Sequence, residues 1–259
     1  MATFAQKRGM SPSEIASQAR AALPLRSPSV ESAAQKVAAF LYQAFSPSVA
    51  LARVYAIAPL HTLDDPGYAF CRALAAAKVV SLRADTPVLS LLGTAGDKTA
   101  WNDRKLSAGH LAIPLASTSF VMTIPMIARL VLEMGGDLRL FDRTTAPLSA
   151  VASGRRLSLT GVFHVLEAAT ALDSEDRLII PAVKFIADER VRSVFAVGTT
   201  CADGTVLIAL VFAREMVDRS YAIRFGAVID AMKTSAASAL NLGRIFSDVG
   251  SLAPKHAAR

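Results

Sequence analysis

Chemically reactive residues are scarce in this chain of 259 residues, which has two cysteines, four histidines and one tryptophan. Cys71 and Cys201 are too few for a disulfide framework or a four-ligand zinc site, and reduced thiols suit a cytoplasmic address. Long apolar runs are missing as well. Stretches such as Val206 to Ala213 fall far short of the roughly 18 to 20 residues of a spanning helix, so the 53% hydrophobic content reads as a large core and not as a membrane segment. The opening "MATFAQKRGMSPSEIASQAR" has basic residues but no apolar stretch of a secretory signal; its Arg and Ser content leaves a transit peptide as the weaker alternative. No G-x-x-x-x-G-K-[ST], G-x-G-x-x-G or H-E-x-x-H string occurs, which removes the phosphate loop, the dinucleotide fingerprint and the zincin helix.

The formal net charge of +7 raises the question of nucleic acid. Basic residues are spread singly, however, with "RR" at 155–156 and "DRK" at 103–105 the densest spots, and no aromatic residues interleave with them. The balance reads as a solvated basic surface, with no nucleic-acid partner.

What is present is a pattern of alternating helices and strands. Residues 1–28, rich in Ala, Ser and Pro, read as a flexible arm; residues 29–246 read as a single domain, and 247–259 as a loose tail. "SPSVESAAQKVAAFLYQAF" predicts a capped amphipathic helix from Val30 to Phe45, and "VALARVYAIAPL" a strand. "PGYAFCRALAAAK" has helical spacing, and "TPVLSLLGTAG" offers a second strand. "HLAIPLASTSFVM" reads as strand and turn, "IPMIARLVLEMGG" as a helix with Pro at its start and glycines at its end. Short strands are expected at "DLRLF" and "TGVFHVLEA", and a short helix at "PAVKFIADERV".

The clearest feature is "VRSVFAVGTTCADGTVLIALVFARE", residues 191–215, two apolar runs joined at Asp203-Gly204, a step that supplies the positive φ of a hairpin turn. Its second arm is apolar on both faces and needs cover on both sides. The following "EMVDRSYAIRFGAVIDAMKTSAASALNLGRIF" places Tyr221, Phe225, Val228, Met232 and Ala239 on one stripe and reads as one long helix, lying on its own sheet or partly on a second subunit. The fold class expected is α+β: a central, mostly antiparallel sheet with helices packed behind it.

The hairpin and helix, "RSVFAVGTTCADGTVLIALVFAREMVDRSYAIRFGAVIDAMKTSAASAL", resemble the close of a GAF domain. "WNDRKLSAGHLAIPLAS…IPMIARLVLEMG" and "GVFHVLEA…IIPAVKFIADERVRSVFAVG" are similar to the divergent GAF-like sensor regions of bacterial signalling proteins, often found ahead of a histidine kinase. The resemblance implies a GAF/PAS-like sheet with a pocket in front of it, a small-molecule ligand, a homodimer formed through terminal helices, and a histidine kinase as a partner. The chain lacks the cysteine placement of a bilin-attaching member and the NKFDE-like string of the cyclic-nucleotide class. No cofactor is singled out.

Candidate ligand-binding residues are Trp101, Arg104, His110, Met126, His164 and Phe195. Trp101 and Arg104, in "WNDR", suit stacking on a planar ligand and pairing with its carboxylate or phosphate; the plainer alternative is a surface turn with a local Arg104–Asp103 pair. His110 and His164 each offer a neutral imidazole to a metal or haem, or serve as hydrogen-bonded core or pocket lining. Phe195, Met122 and Met126 line a pocket or fill ordinary core. No catalytic residue is expected. An alternative is a GAF-fold thiol enzyme, such as a methionine-sulfoxide reductase, working through Cys201 with Cys71 as its resolving partner. A further alternative is a ligand-free docking protein for a histidine kinase.

Overall fold

The computed structural model describes residues 3–107, 110–142 and 157–247. Strands β1 (Val49–Pro59), β2 (Pro87–Gly96), β3 (Ala112–Pro114), β4 (Gly161–Val165), β5 (Ser193–Thr200) and β6 (Val206–Ala213) form one sheet in the order β3-β2-β1-β6-β5-β4. Every neighbouring pair is antiparallel. All eight residues of β6 are buried, so both faces of the sheet are covered.

Helices α1 (Pro12–Ala22), α2 (Val30–Ala44) and α8 (Gly226–Asn241) pack behind the sheet. The α2 helix starts where the Ser29 hydroxyl accepts from the Ser32 N–H, at 3.0 Å, and it turns Val30, Ala33, Ala34, Val37 and Leu41 inward. Small residues at this seam let the helix lie close. A Cβ built on Gly93 of β2 would stand 2.4 Å from the Ala34 carbonyl oxygen, so only glycine fits there. The front is covered by α4 (Thr118–Met122) and α5 (Pro125–Glu133), whose Ile127, Leu130 and Val131 join Tyr55, Leu89, Ile208 and Leu210 in a second core. The α3 helix (Asp65–Ala77) lies by β3, capped by Asp64. The short α6 (Val183–Asp188) precedes β5.

Three expectations need correction. "DLRLF" is a 3-10 turn, Leu138–Asp142, and not a strand, because Asp137 accepts from the Arg139 N–H and bends the chain locally. The long C-terminal helix is broken into α7 (Arg219–Ile223) and α8, with the bonds tightened to Arg224 N–H→Tyr221 and Phe225 N–H→Ala222 so that Phe225 turns into the rear core. Its apolar stripe is used within the chain: Tyr221, Phe225, Val228, Met232 and Ala239 are all buried. The hairpin is as expected, with Gly204 at φ +91° and the Cys201 N–H donating to Thr205.

The third correction concerns residues 1–28, which from residue 3 onward are docked and are no flexible arm. A capping box between Ser11 and Glu14 starts α1, which lies on α8 through Ile15, Ala16 and Ala19. Phe4 enters an aromatic cluster, its ring 4.9 Å from Phe45 and 5.6 Å from Phe225. The backbone is fastened around it: the Phe4 N–H donates to Ser48 Oγ, the Tyr221 hydroxyl to the Lys7 carbonyl, and Arg8 pairs with Asp218 at 2.7 Å. One aromatic and a few alanines carry too little periodicity to be read as a packed segment. Of the expected tail 247–259, only residue 247 is among the described residues.

Two predictions follow from this docking. Phe4→Ala should lower unfolding stability by about 3 to 5 kcal/mol, measured by denaturant titration. The Ser220 hydroxyl, the Tyr221 N–H and Arg8 hold the Asp218 carboxyl down at about 2, against an ordinary 3.8. A carboxyl depressed in the folded state stabilises it above the unfolded value and loses that share as pH falls through the folded value. The difference in melting temperature between the native chain and Asp218→Asn should therefore be full above pH 3.8 and vanish towards pH 2.

Candidate functional site

On β1, Leu51, Tyr55 and Ile57 face the front core while Ala52, Val54 and Ala56 face the rear, and strand alternation puts Arg53 on the front. A guanidinium thus sits at the middle of a central strand. It donates to the Tyr55 hydroxyl at 3.3 Å and to Ser107 Oγ at 3.4 Å. Across the ladder from Arg53 is Thr94, which is 1% exposed. The Thr94 hydroxyl has no hydrogen-bond partner among the described residues. Gly93 points at α2 behind the sheet, so the next residue, Thr94, points forward beside Arg53.

Arg53 pairs across the ladder with Leu210, which borders an apolar void in the front core. The void, of about 10 Å³, is bounded by Tyr55, Leu89, His110, Ile113, Met126 and Leu210. That is room for a single water at most. His110 holds a left-handed backbone, φ +59°. Although the residue as a whole is exposed, protein atoms crowding the ring, and then the charge of Arg53, push its pKa below the ordinary 6.5. It is therefore a neutral imidazole at pH 7.

A second, larger space opens at the α6 end of the sheet. This cleft, of about 610 Å³, is lined by Ile180, Val183, Ile186, Arg190, Arg192 and Arg214, among others.

The six residues singled out from the sequence do not converge. His110 and Met126 line the front void. Trp101 lines neither space: the Phe185 ring meets it edge-on at 5.6 Å, and Lys98 Nζ stands 4.7 Å over the indole. Arg104 is 4% exposed and is fully engaged by Glu31 Oε1 and Asp64 Oδ2, each at 2.5 Å, so it is an internal tie and not a ligand clamp. The local partner imagined for it, Asp103, instead accepts from the Lys105 N–H. His164 donates its Nε2–H to the Val217 carbonyl at 2.6 Å. Phe195 lies behind the sheet, against Phe4 and Phe225, because Val194 and Ala196 are the β5 residues that face forward. An enclosure shared by Trp101 and Phe195 is thus excluded: they lie on opposite sides of one sheet.

The sequence reading missed Arg53, Thr94 and the arginines of the cleft. Its signal was there for Arg53, the one charged residue inside "VALARVYAIAP". Both thiols are poor nucleophiles. Burial pushes Cys71 up to about 12, and burial followed by the charge of Asp203 raises Cys201. No group of three or more metal-ligating side chains occurs among the described residues. No described helix is long and apolar enough to cross a membrane.

Comparison with known proteins gives neither a matching family model nor a matching curated protein. Solved structures do match. The chain is similar in fold to GAF domains. The free methionine-R-sulfoxide reductase of Neisseria meningitidis aligns at 12% identity over 93% of this chain and 95% of its own, with a TM-score of 0.45. The phycocyanobilin-bound GAF domain of a cyanobacterial phytochrome aligns at 11% identity over 90% and 98%, with a TM-score of 0.43. Likenesses this loose give no residue of this chain a role.

The Arg104 tie yields a prediction. Arg104→Met leaves two largely buried carboxylates facing one another and should cost about 3 to 5 kcal/mol in chemical denaturation. Adding Glu31→Gln and Asp64→Asn to it should restore most of that loss, since no buried charge then remains and Asn still caps α3.

Proposed function

We propose that this chain is a cytoplasmic small-molecule sensor module, without catalytic activity of its own, that takes its ligand at the front of the sheet. One observation carries the reading: a guanidinium, a phenol and a buried threonine hydroxyl with no partner among the described residues gather on the front of the central strands, beside an otherwise apolar core. A buried polar group such as the Thr94 hydroxyl is costly unless a partner satisfies it, and a ligand or water that reaches it removes that cost.

The void is too small for a ligand as it stands, so binding requires α4 and α5 to lift from the front of the sheet. Only the free-energy difference between lifted and seated states is available to a signal. The fraction of open molecules scales the apparent affinity. A partner reads the change; a histidine kinase and a second copy of the chain are the two candidates. A second copy would have to use the outer side of α8, since its apolar stripe faces inward.

The thiol-enzyme alternative is the weaker one, since both cysteines are buried and burial raises their pKa values. Ligand-free docking is separated from sensing by experiment. Protein purified from its own host should carry one small molecule per chain in native mass spectrometry, with an absorbance spectrum to report any haem. Arg53→Met should retain the fold by circular dichroism and lose about tenfold to a hundredfold in affinity, as expected for hydrogen bonds to a charged group. A clean apo chain whose melting temperature responds to no metabolite in a broad panel would leave only the docking role.

A further inference from the structure

The cleft at the α6 end plays no part in that reading. Its lining is apolar apart from three arginines, and a turn at the end of α6 shapes it. The Val191 N–H donates back to the Ile186 carbonyl at 2.9 Å, closing the helix with Arg190 in the left-handed region at φ +56°. This closure brings Ile186 and Val191 together into the wall and leaves Arg190 on the rim. Glycine takes that backbone without strain; an L side chain crowds the following carbonyl. An arginine there works against the turn that holds it.

Arg192 lines the same cleft, and its side chain's one polar contact among the described residues is with Met216 Sδ at 3.1 Å. Arg190 has no side-chain partner among them. The acids nearby are already engaged: Asp188 with Lys184 at 2.7 Å, Glu189 with Lys98 at 2.7 Å. Arg214 differs, since it donates to the carbonyls of Glu189 and Val49 and pairs with Asp97, which makes it a fixed back wall. Two guanidiniums without carboxylates therefore stand over an apolar trough that includes Ile180, Val183 and Ile186, and Val183 is 58% exposed.

We propose that this cleft is a second binding site, for a small free anion with an aliphatic body: a carboxylate or phosphate monoester whose head lies between Arg190 and Arg192 and whose chain runs along Val183 and Ile186. Guanidinium is weakly hydrated and pairs with either head in a two-point geometry, which suits a shallow, partly dry site. A volume of about 610 Å³ lies inside the range of small-ligand pockets.

The lone tryptophan provides a reporter, because Phe185 of α6 touches the Trp101 ring. Octanoate and octyl phosphate should shift Trp101 emission saturably, with calorimetry giving the same dissociation constant, and octanol should bind at least about tenfold more weakly. Arg190→Gly combined with Arg192→Gln should weaken octanoate about tenfold or more. Arg190→Gly alone should melt no lower than the native chain, since glycine relieves the turn; this separates a lost ligand contact from a damaged fold. Arg53→Met should leave octanoate binding unchanged, so failure at the front of the sheet does not decide this site. Octanol binding as well as octanoate, full affinity in the double variant, or no saturable response to either anion would each overturn the proposal. So would binding to phosphatidylglycerol vesicles without binding to the free anions, which would make the arginines a lipid-surface contact.

Discussion

The architecture depends on a sheet that is apolar on both sides. β1 and β6 pair at its centre, and their side chains feed two cores, one against α2 and α8 and the other against α4 and α5. Neither cover is optional, since either exposed face would leave a row of Val, Leu and Ile in water at roughly 25 cal/mol for each Å². The rear cover is tight because small residues line its seam, down to Gly93 beneath Ala34. The front cover is built from the shorter helices α4 and α5.

Against that background the buried and half-buried arginines sort themselves by their partners. Arg104 faces two carboxylates at 2.5 Å, and Arg214 meets two carbonyls and the carboxylates of Asp97 and Glu189. Both are tied into the fold, and neither has capacity left for a ligand. Arg190, by contrast, has no side-chain partner among the described residues. A charge count of the chain treats all of them alike. Only their partners separate structural cations from those with capacity for an incoming anion.

Much of the fold was legible because period and punctuation agreed: Ser29 before α2, Pro125 at the start of α5, Asp203-Gly204 in the hairpin, and alternation along β5. The site was less legible. Alternation places Phe195 and Val197 on one face of β5 and Val194 and Ala196 on the other, but it carries no sign that tells front from rear, and Phe195 went to the wrong side. Arg104 looked like a ligand clamp because its partners, Glu31 and Asp64, lie far away in sequence. Phe4 was invisible for the opposite reason: a single aromatic has no period, and its four ring neighbours come from Phe45, β5 and the α7–α8 junction. Pattern reading finds elements with repeated signals and misses contacts made once.

The Arg104 tie also bears on how a change at the front could leave the molecule. Arg104 begins a 3-10 turn whose next residue but two, Ser107, accepts from Arg53. Its carboxylate partner Glu31 also accepts from the Ser247 N–H at 2.7 Å, and the Glu31 N–H donates to the Ile245 carbonyl. Ring contact with Phe246, 5.2 Å from the guanidinium, adds a second link to the same stretch. A ligand that draws Arg53 away from Ser107 therefore acts on a turn whose buried charge grips residues 245–247, where the described chain ends beyond α8. A buried ion pair resists small displacements, because any separation exposes unpaired charge to a low dielectric. The turn and the terminal stretch are thus held to one another by the same buried charge.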